Sequence, residues 1–487
     1  MEARPSGCVF GVETEFGCLV SDEAIGEPDQ IVEKIKDTAF YDMKVGVLDL
    51  HARDEVFEPA QSGGFLINGG RLYIDAVGSH LEYATAECRS IRDLIASDRA
   101  GQRIINQAIR ELGLQDSVSV YNNSVDHFGG HTFGCHENYL VRMEEDYFST
   151  RVTDLITFLV TRQIFAGVGR VGGHILSSNG RKPSFEEMAA NPIDYVWVSQ
   201  VYGVDPDPDV DFQLSQRADH ILKGVASRVR FNRAIINPKW EHFYSHDQMQ
   251  RLHLLFGESN QSEYAYALKI GTTRLVLRLI DLDAVPTWTR LAHPLLALRQ
   301  ISRDRDYRWR VVLADGGTSD AVSIQRAFLE AAERFRGEDP ETDWVLDQWA
   351  DILDGLSNDP LALGDRLDWV AKYQIVNAYR EEMGSDWNED ALHSVDLEYH
   401  NIDPESSLFH ALDMKRYVGD LDILDAMTDA PKDTRAHGRS MLIRKILKRR
   451  SSKFYVVDWN AVAMDRYRII DLDDPLEPYA GLAEEEA

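Results

Sequence analysis

The sequence contains little cysteine and no long hydrophobic run. Only four of its 487 residues are cysteines (Cys8, Cys18, Cys88 and Cys135), and none of them forms a Cys-x-x-Cys pair. This pattern predicts free thiols in a reducing compartment, so we expect a soluble, cytoplasmic protein without a zinc cluster. Because no stretch of about 18 apolar residues occurs, we also expect no helix that spans a membrane.

Common nucleotide-binding motifs are missing as well. The sequence has no Gly-x-x-x-x-Gly-Lys-Ser/Thr motif, which excludes a P-loop NTPase, and it lacks the protein-kinase motifs. The glycine-rich stretch Gly167 to Gly172 follows a predicted helix rather than a strand, so we interpret it as a turn and not as a dinucleotide-binding loop. Any nucleotide must therefore bind to a site of another kind.

Basic residues are too few for a general nucleic-acid-binding protein. There are 52 lysines and arginines against 81 aspartates and glutamates, and the formal net charge is −29. Nucleic-acid-binding proteins usually carry the opposite balance. An anionic partner would need a local group of cations, and a solvated helix face is the alternative interpretation of such a group. The helix predicted near the C-terminus supplies the candidates Arg444, Lys445, Lys448, Arg449 and Arg450.

The composition is sufficient for a folded protein of more than one domain. Apolar residues make up 44% and aromatic residues 10% of the sequence, whose length exceeds that of one ordinary core. Predicted strands and helices mix without a βαβ rhythm, which indicates the α+β class. Mostly helical patterns give way, from about Asp403, to a basic helix followed by short strand-like segments. We therefore predict a large domain at residues 1–402 and a small C-terminal α/β domain at 403–487. A polar segment at 179–208 is interpreted as a surface insertion.

Two glutamates in the first predicted strand are candidates for a metal site. Side chains alternate across a strand, so Glu13 and Glu15 point to one face and Thr14 points to the other. Two neighbouring carboxylates repel each other unless a cation lies near them, and Mg²⁺ prefers oxygen ligands. The alternative is a solvated strand edge, which the pair of glutamates alone does not exclude.

A second predicted strand has a polar face. Arg71, Tyr73 and Asp75 fall on one side of this strand, whereas Leu72 and Ile74 face the core. An arginine can hold a phosphate through two parallel hydrogen bonds, and an aspartate can accept a proton from an attacking amine or water. The alternative is an ordinary surface salt bridge.

Glu82 and Thr85 follow in a third strand-like segment. In a regular strand these two side chains would lie on opposite faces. If both contribute to one site, the strand must bulge or end between them. The spacing also predicts a bulge after Asp75 if Glu82 is to reach the face that carries this aspartate.

Eight segments, taken in order along the chain, have the pattern of one known family. They are Gly11 to Gly17, Asn68 to Asp75, Glu82 to Cys88, Gly134 to Leu140, Phe158 to Gln163, Leu214 to Ala218, Arg251 to His253 and Val457 to Trp459. Together they resemble the family of Pup–protein ligases and Pup deamidases/depupylases. Each match is weak alone, whereas the ordered set is specific.

The resemblance implies a fold similar to that of glutamine synthetase. An antiparallel sheet would form an open cradle for ATP, with helices packed against it and a small C-terminal domain beside it. The positions that match ATP-binding residues of the family are Arg71, Thr85 and Trp459. Trp459 would bring the C-terminal domain to the nucleotide.

The resemblance also implies a magnesium site and a catalytic base. Glu13, Tyr73 and Glu82 match the Mg²⁺-binding positions of the family, and Asp75 matches its proton acceptor. Glu15 has no assigned role in this scheme.

The family contains two activities. The ligase uses ATP to phosphorylate the C-terminal glutamate side chain of a small protein tag, Pup, and a substrate lysine then displaces phosphate to give an isopeptide bond. The other branch hydrolyses that bond or deamidates a C-terminal glutamine. We favour the ligase because of the segments Gly11 to Gly17 and Glu82 to Cys88.

The expected partners are a Pup-like tag and lysine-bearing proteins, with an indirect link to the proteasome and no nucleic acid or membrane. The hydrolase remains the first alternative. A small-molecule carboxylate–amine ligase of the same fold and an inactive regulator that binds tag and nucleotide are further alternatives.

Overall fold

The structure is a computed structural model that describes most of the chain. The described residues are 5–53, 58–75, 80–127, 131–142, 145–177, 203–226, 233–238, 249–449 and 454–483. Most of the predicted insertion at 179–208 lies outside these residues, as does Arg450 of the predicted basic helix.

The strands alternate with helices in the first half of the chain and are short in the second half. In chain order they are β1 (Phe10–Val20), β2 (Gly46–Leu48), β3 (Gly63–Leu66), β4 (Arg71–Asp75), β5 (His80–Ala84), β6 (Val118–Tyr121), β7 (Cys135–Arg142), β8 (Arg170–Val171), β9 (His174–Ser177), β10 (Gly203–Pro206), β11 (Phe212–Gln213), β12 (Lys223–Val225), β13 (Ala234–Pro238), β14 (Met249–Leu254), β15 (Arg310–Val312), β16 (Thr318–Asp320), β17 (Val456–Val457), β18 (Ala461–Ala463) and β19 (Ile469–Asp471). The predicted strand at residues 71–75 is therefore confirmed as β4.

A large sheet forms the centre of the molecule. Its strands lie in the order β12-β13-β14-β7-β1-β5-β4-β3-β2, and β6 pairs with the last four residues of β1. Neighbouring strands are antiparallel apart from the parallel pair β12 and β13. The long strand β1 has partners on both sides, which fixes its register. This arrangement confirms the predicted α+β class with a mainly antiparallel sheet.

The described residues also form α-helices, several of which pack against the large sheet. They are α1 (Pro28–Asp37), α2 (Ile91–Glu111), α3 (Glu145–Thr161), α4 (Gln163–Ala166), α5 (Glu263–Asp281), α6 (Pro294–Arg303), α7 (Ala321–Ala332), α8 (Pro340–Asn358), α9 (Asp368–Met383), α10 (Asp390–Glu398), α11 (Asp420–Thr428) and α12 (Arg435–Lys448). α2 begins where Ser90 accepts a hydrogen bond from the Asp93 amide, as expected of a helix N-cap. In the described part of the chain, no helix has both the length and the apolar character needed to cross a membrane.

Alternation along the strands separates an apolar face from a polar face. Val12, Phe16, Leu72 and Leu81 point toward the helices and belong to the buried core. Thr14, between the two glutamates, also points to this side, where its hydroxyl donates a hydrogen bond to Asp98 of α2 at 3.3 Å. The opposite face of the same strands is left for polar side chains.

The C-terminal part packs against the edge of the large sheet. β17, β18 and β19 form a small antiparallel sheet, and α12 joins it to β2 and β3. Val47, Phe65, Leu442, Val457 and Val462 form the buried cluster between them. α11, which precedes α12, packs instead against α2 of the central layer. The boundary between residues 402 and 403 stays a prediction.

Gly101 in the middle of α2 provides a test of how the helix layer supports β5. A Cβ atom at this position would lie 2.3 Å from Cδ1 of Tyr83. Glycine to alanine in a helix usually stabilises by about 1 kcal/mol, but overpacking a core costs about 1–3 kcal/mol. We therefore expect Gly101→Ala to lower the melting temperature.

The matched control is Gln107→Ala, at an exposed position of the same helix. Its effect on stability should remain within about 0.5 kcal/mol. A Gly101→Ala variant that melts at or above the temperature of the wild type would contradict this packing.

Candidate active site

Three carboxylates gather on the polar face, where β1, β5 and β4 run side by side. Glu15 is paired with Glu82 across β1 and β5, and Glu82 is paired with Tyr73 across β5 and β4. Asp75 lies one row further along, opposite His80. One oxygen atom from each of the three carboxylates lies within 4.8 Å of the other two.

Glu82 lies on the same face as Asp75, and the bulge expected after Asp75 would fall at residues 76–79, which lie outside the described residues. β4 and β5 pair in continuous register along all five residues of each strand. The antiparallel pairing of Asp75 with His80 places Glu82, two residues beyond His80, on the face of Asp75, whereas counting along a single strand from Asp75 predicts the opposite face. β5 ends at Ala84, and Thr85 therefore leaves the alternation. The strand end between Glu82 and Thr85 is one of the two solutions that their spacing predicted.

The crowding of negative charge shifts the protonation of these groups. Burial and then the charges of three neighbouring carboxylates raise the pKa of Glu82 well above its usual value. Tyr73 is hydrogen-bonded to Glu82, and burial together with the nearby carboxylates raises the pKa of its phenol well above the usual value. For Glu15, burial acts in the opposite direction to a hydrogen bond with His80 at 2.9 Å, and the pKa falls to about 2.

A second group of ligand-type side chains surrounds Glu13. Its carboxylate lies 3.2 Å from Nδ1 of His136 on β7 and 3.5 Å from Nε2 of His253 on β14. Asn138 and Arg251 donate hydrogen bonds to the other carboxylate oxygen at 3.1 and 3.2 Å. Burial alone would raise the pKa of Glu13, but the two histidines and Arg251 hold it well below its usual value.

His136, His253 and Arg251 were not among the site residues predicted from the sequence. A local signal existed for β7, since His136 and Asn138 alternate with the buried Cys135 and Glu137. Their meeting with Glu13 depends on β7 lying between β1 and β14, and this long-range pairing has no local signature. Cys135 is buried on the helix side, so it is a structural residue rather than a nucleophile in this site.

The residues present fit a divalent cation. Glu15, Asp75 and Glu82 form one set of potential oxygen ligands, and Glu13, His136 and His253 form another. Burial lowers the pKa of His253 to about 3, so its ring is neutral and can offer a lone pair. A cation would relieve the repulsion that raises the pKa of Glu82.

Arg71 lies on the same face but contacts carboxylates of its own chain. Its Nη2 atom is 3.1 Å from Asp49 and 3.0 Å from Glu58, and its guanidinium stacks over the ring of Tyr73 at 4.4 Å. Glu58 is one-third exposed, whereas Asp49 is buried. A phosphate at Arg71 would therefore compete most readily with Glu58.

A cleft of about 660 Å³ opens beside Glu13. Its wall includes Thr85, whose Oγ1 accepts a hydrogen bond from the Val12 amide at 3.1 Å, and Arg251. Trp459 of the C-terminal part also lines this cleft. Apolar groups dominate the lining, as expected of a site for a flat ring, and its charged residues are Glu13, Glu87, Arg251 and Arg435.

Two buried arginines of α12 hold Trp459 at the cleft. Arg439 donates to the Trp459 carbonyl at 2.7 Å and to the Gly69 carbonyl at 2.8 Å, and it forms an ion pair with Glu87. Arg435 donates to the same Glu87 carboxylate at 2.7 Å. The C-terminal part is therefore anchored to the segment that follows β5, next to Thr85.

The predicted site residues thus lie on one face or beside it, and their individual roles stay predictions. Tyr73, predicted as a metal ligand, lies beside Glu82 on the neighbouring strand and is hydrogen-bonded to it. Comparison with known proteins identifies the family, since a family model described as Pup-ligase protein matches residues 8–463 of the chain. The chain belongs to this Pup-ligase family. The predicted resemblance is therefore confirmed.

Curated relatives of this family match nearly the full chain. A Pup–protein ligase of Acidimicrobium ferrooxidans is 33% identical over 96% of this chain and 95% of its own length. A Pup–protein ligase of Kocuria rhizophila is 34% identical over 89% of this chain and 88% of its own length.

Solved structures of family members have the same fold. The ligase PafA in complex with the prokaryotic ubiquitin-like protein Pup matches with a TM-score of 0.76 at 29% identity, over 99% of this chain and 90% of that chain. PafA in complex with ADP matches with a TM-score of 0.71 at 31% identity, over 87% of this chain and 89% of that chain.

The ion pairs of Glu87 predict an acid-sensitive contact in this family member. Burial acts against ionisation, but Arg439 and Arg435 lower the pKa of Glu87 to about 2. A lowered pKa stabilises the fold above the unfolded value of 4.5, and this contribution is lost as the pH falls from 4.5 toward 2. At pH 7 it amounts to about 3 kcal/mol.

Glu87→Gln should therefore melt well below the wild type at pH 7, and the difference should shrink below pH 4.5. Thermal unfolding across this pH range measures it. Glu333→Gln, which removes an exposed carboxylate paired with Arg336, is the control and should change little. A difference between Glu87→Gln and wild type that does not change with pH would contradict the role of this carboxylate.

Proposed function

We propose that the protein is an ATP-dependent ligase that joins the C-terminal glutamate side chain of a Pup-like protein to lysines of other proteins. The observation that carries this proposal is Asp75, which lies within 4.8 Å of two further carboxylates on a sheet face next to a cleft. This site occurs in a chain that is 33–34% identical to Pup–protein ligases over most of its length. PafA, a ligase of Pup by its description, has been solved with ADP and with Pup.

In this proposal the cleft binds ATP. Thr85 and Trp459 would contact the nucleoside, and Arg71 would bind a phosphate after exchanging its contact with Glu58. Mg²⁺ held by carboxylates of the polar face would neutralise phosphate charge. The γ-phosphate transfers to the tag's glutamate carboxylate, which leaves ADP and a glutamyl phosphate.

The second half of the reaction needs a neutral amine. The carboxylates around Asp75 create a negative field that attracts a lysine ammonium ion. Asp75 accepts a proton from this ion, the amine attacks the glutamyl carbonyl, and phosphate leaves as the isopeptide bond forms. Asp75 also belongs to the first set of potential metal ligands, so its proton-accepting oxygen must be the one that a cation leaves free.

The tag-binding surface is less defined than the reaction site. Arg444 contacts the Asp429 carboxylate at 3.1 Å, Lys445 the Leu482 carbonyl at 2.6 Å and Arg449 the Met464 carbonyl at 2.9 Å. Because these cations already bind groups of their own chain, a role of α12 in binding an acidic tag stays a prediction. The cytoplasmic location and the link to the proteasome are also predictions.

Asp75→Asn is the decisive substitution. We expect conjugate formation to fall by about a hundredfold or more, since general base catalysis contributes about 10²- to 10⁴-fold. Binding of ADP should persist, because Asp75 does not line the cleft. Gel-based detection of conjugates between a tag ending in glutamate and a lysine-bearing protein, with ATP and Mg²⁺, measures the activity, and calorimetry measures ADP binding.

Asp315→Asn, in an exposed turn, is the matched control and should retain full activity. Retained activity of Asp75→Asn would remove this residue from its role. Wild-type protein that releases the tag from existing conjugates, yet forms none, would favour the hydrolase. Activity with a free amino acid in place of the tag would favour a small-molecule ligase.

A further inference from the structure

Residues 49–53, which follow β2, include an arginine to which neither the sequence motifs nor the proposed reaction assigns a role. Residues 48–53 lie beside residues 454–458, which include β17 of the C-terminal sheet. The hydroxyl of Tyr455 donates to the Leu48 carbonyl at 2.8 Å, and the rings of His51 and Phe454 lie 5.4 Å apart. Arg53 reaches furthest and contacts the residues just before Trp459.

Arg53 is the third of four residues that are joined one to the next by ion pairs, and we call this set the ion-pair row. Its Nε atom lies 3.1 Å from Oδ2 of Asp49, and the same oxygen lies 3.1 Å from Nη2 of Arg71. Its Nη1 atom lies 2.9 Å from Oδ1 of Asp458. The ion-pair row therefore connects β4 of the large sheet with the C-terminal part, in the order Arg71, Asp49, Arg53 and Asp458.

Asp458, the last residue of the ion-pair row, fixes the backbone at Trp459. Asp458 Oδ1 accepts a hydrogen bond from the Trp459 amide at 2.7 Å, and Arg53 Nη2 donates to the Val457 carbonyl at 2.6 Å. The indole packs edge-on against Phe65 at 5.0 Å, and the Arg53 guanidinium lies over the same Phe65 ring at 5.3 Å. Arg53 thus holds the two residues that precede Trp459.

The ion-pair row also affects how strongly Arg71 is neutralised. Asp49 shares one oxygen between two guanidinium groups, so the positive charge of Arg53 weakens the hold of Asp49 on Arg71. Arg71 and Asp49 are both nearly buried, with exposed side-chain fractions of 5% and 8%. Charges at such a site are screened less than surface charges, so the loss of Arg53 would leave Arg71 more tightly neutralised.

We propose that Arg53 is a positioning residue for nucleotide binding, which couples Arg71 on the sheet to Trp459 at the cleft. This inference rests on the proposed function, because it takes Arg71 and Trp459 as nucleotide-binding residues. Removal of Arg53 acts in one direction at both ends: it releases the Val457 carbonyl and the Asp458 carboxylate that precede Trp459, and it strengthens the competition of Asp49 for Arg71.

The test is Arg53→Gln, which keeps much of the side-chain volume and removes the charge. We expect the affinity for ADP with Mg²⁺ to fall about tenfold by calorimetry. In conjugation assays KM for ATP should rise by a similar factor while kcat remains within about twofold, since Arg53 contacts Asp49, Glu58, Asp458 and the Val457 carbonyl, which have no part in the proposed proton transfer.

Hydrogen–deuterium exchange without nucleotide separates positioning from general destabilisation. Peptides from residues 454–472 should exchange faster in Arg53→Gln, whereas peptides from the buried helix α5 should not change. The control Arg336→Gln removes an exposed arginine that pairs with Glu333 and Asp347, and it should leave both ADP affinity and exchange at wild-type values.

Asp458→Asn provides an independent arm, because Asp458 is nearly half exposed and the variant should fold. It should weaken ADP binding in the same direction, and the double variant should be no weaker than Arg53→Gln alone. Unchanged ADP affinity in Arg53→Gln, or faster exchange in α5 as much as in 454–472, would overturn the positioning role. Wild-type protein that binds no ADP would instead contradict the proposed function.

Discussion

Repulsion among carboxylates on one face of the central sheet is the constraint on which the site depends. Glu15, Asp75 and Glu82 place oxygen atoms within 4.8 Å of one another, and Glu13 adds a fourth negative charge that also acts on Glu82. Such crowding away from water is costly unless a cation balances it. This explains why β5, β7 and β14 supply histidines and Arg251 to the same face in a protein of net charge −29.

The sheet can keep these charges together because its other face is firmly packed. β1 has β5 on one side and β7 on the other, and its apolar side chains are buried under the helices. A shift of β1 by one residue would turn Glu13 and Glu15 into the core and Thr14 to the polar side. The cost of burying two carboxylates among apolar groups therefore fixes the register, and the register fixes the site.

Much of this could be predicted from local sequence, and the rest depends on long-range pairing. Strand alternation alone put Arg71, Tyr73 and Asp75 on one face, and β4 has the predicted bounds. The face on which Glu82 lies could not be counted from Asp75, because the two residues belong to separate antiparallel strands and their pairing decides it. The contacts of Glu13 with the histidines of β7 and β14 join residues far apart in the chain, so a sequence pattern that spans a few residues cannot show them.

Glu13 belongs to both parts of the site. Its side chain lies on the carboxylate face of β1, β4 and β5, and it lines the cleft that the C-terminal part completes with Trp459. An experimental structure of the protein with ADP and Mg²⁺ tests this link most directly. The account predicts the nucleoside between Thr85 and Trp459, with the phosphates directed toward Glu13 and a cation bound by carboxylates of the sheet face. ADP bound away from this cleft, or a cation that none of these carboxylates contacts, would contradict it.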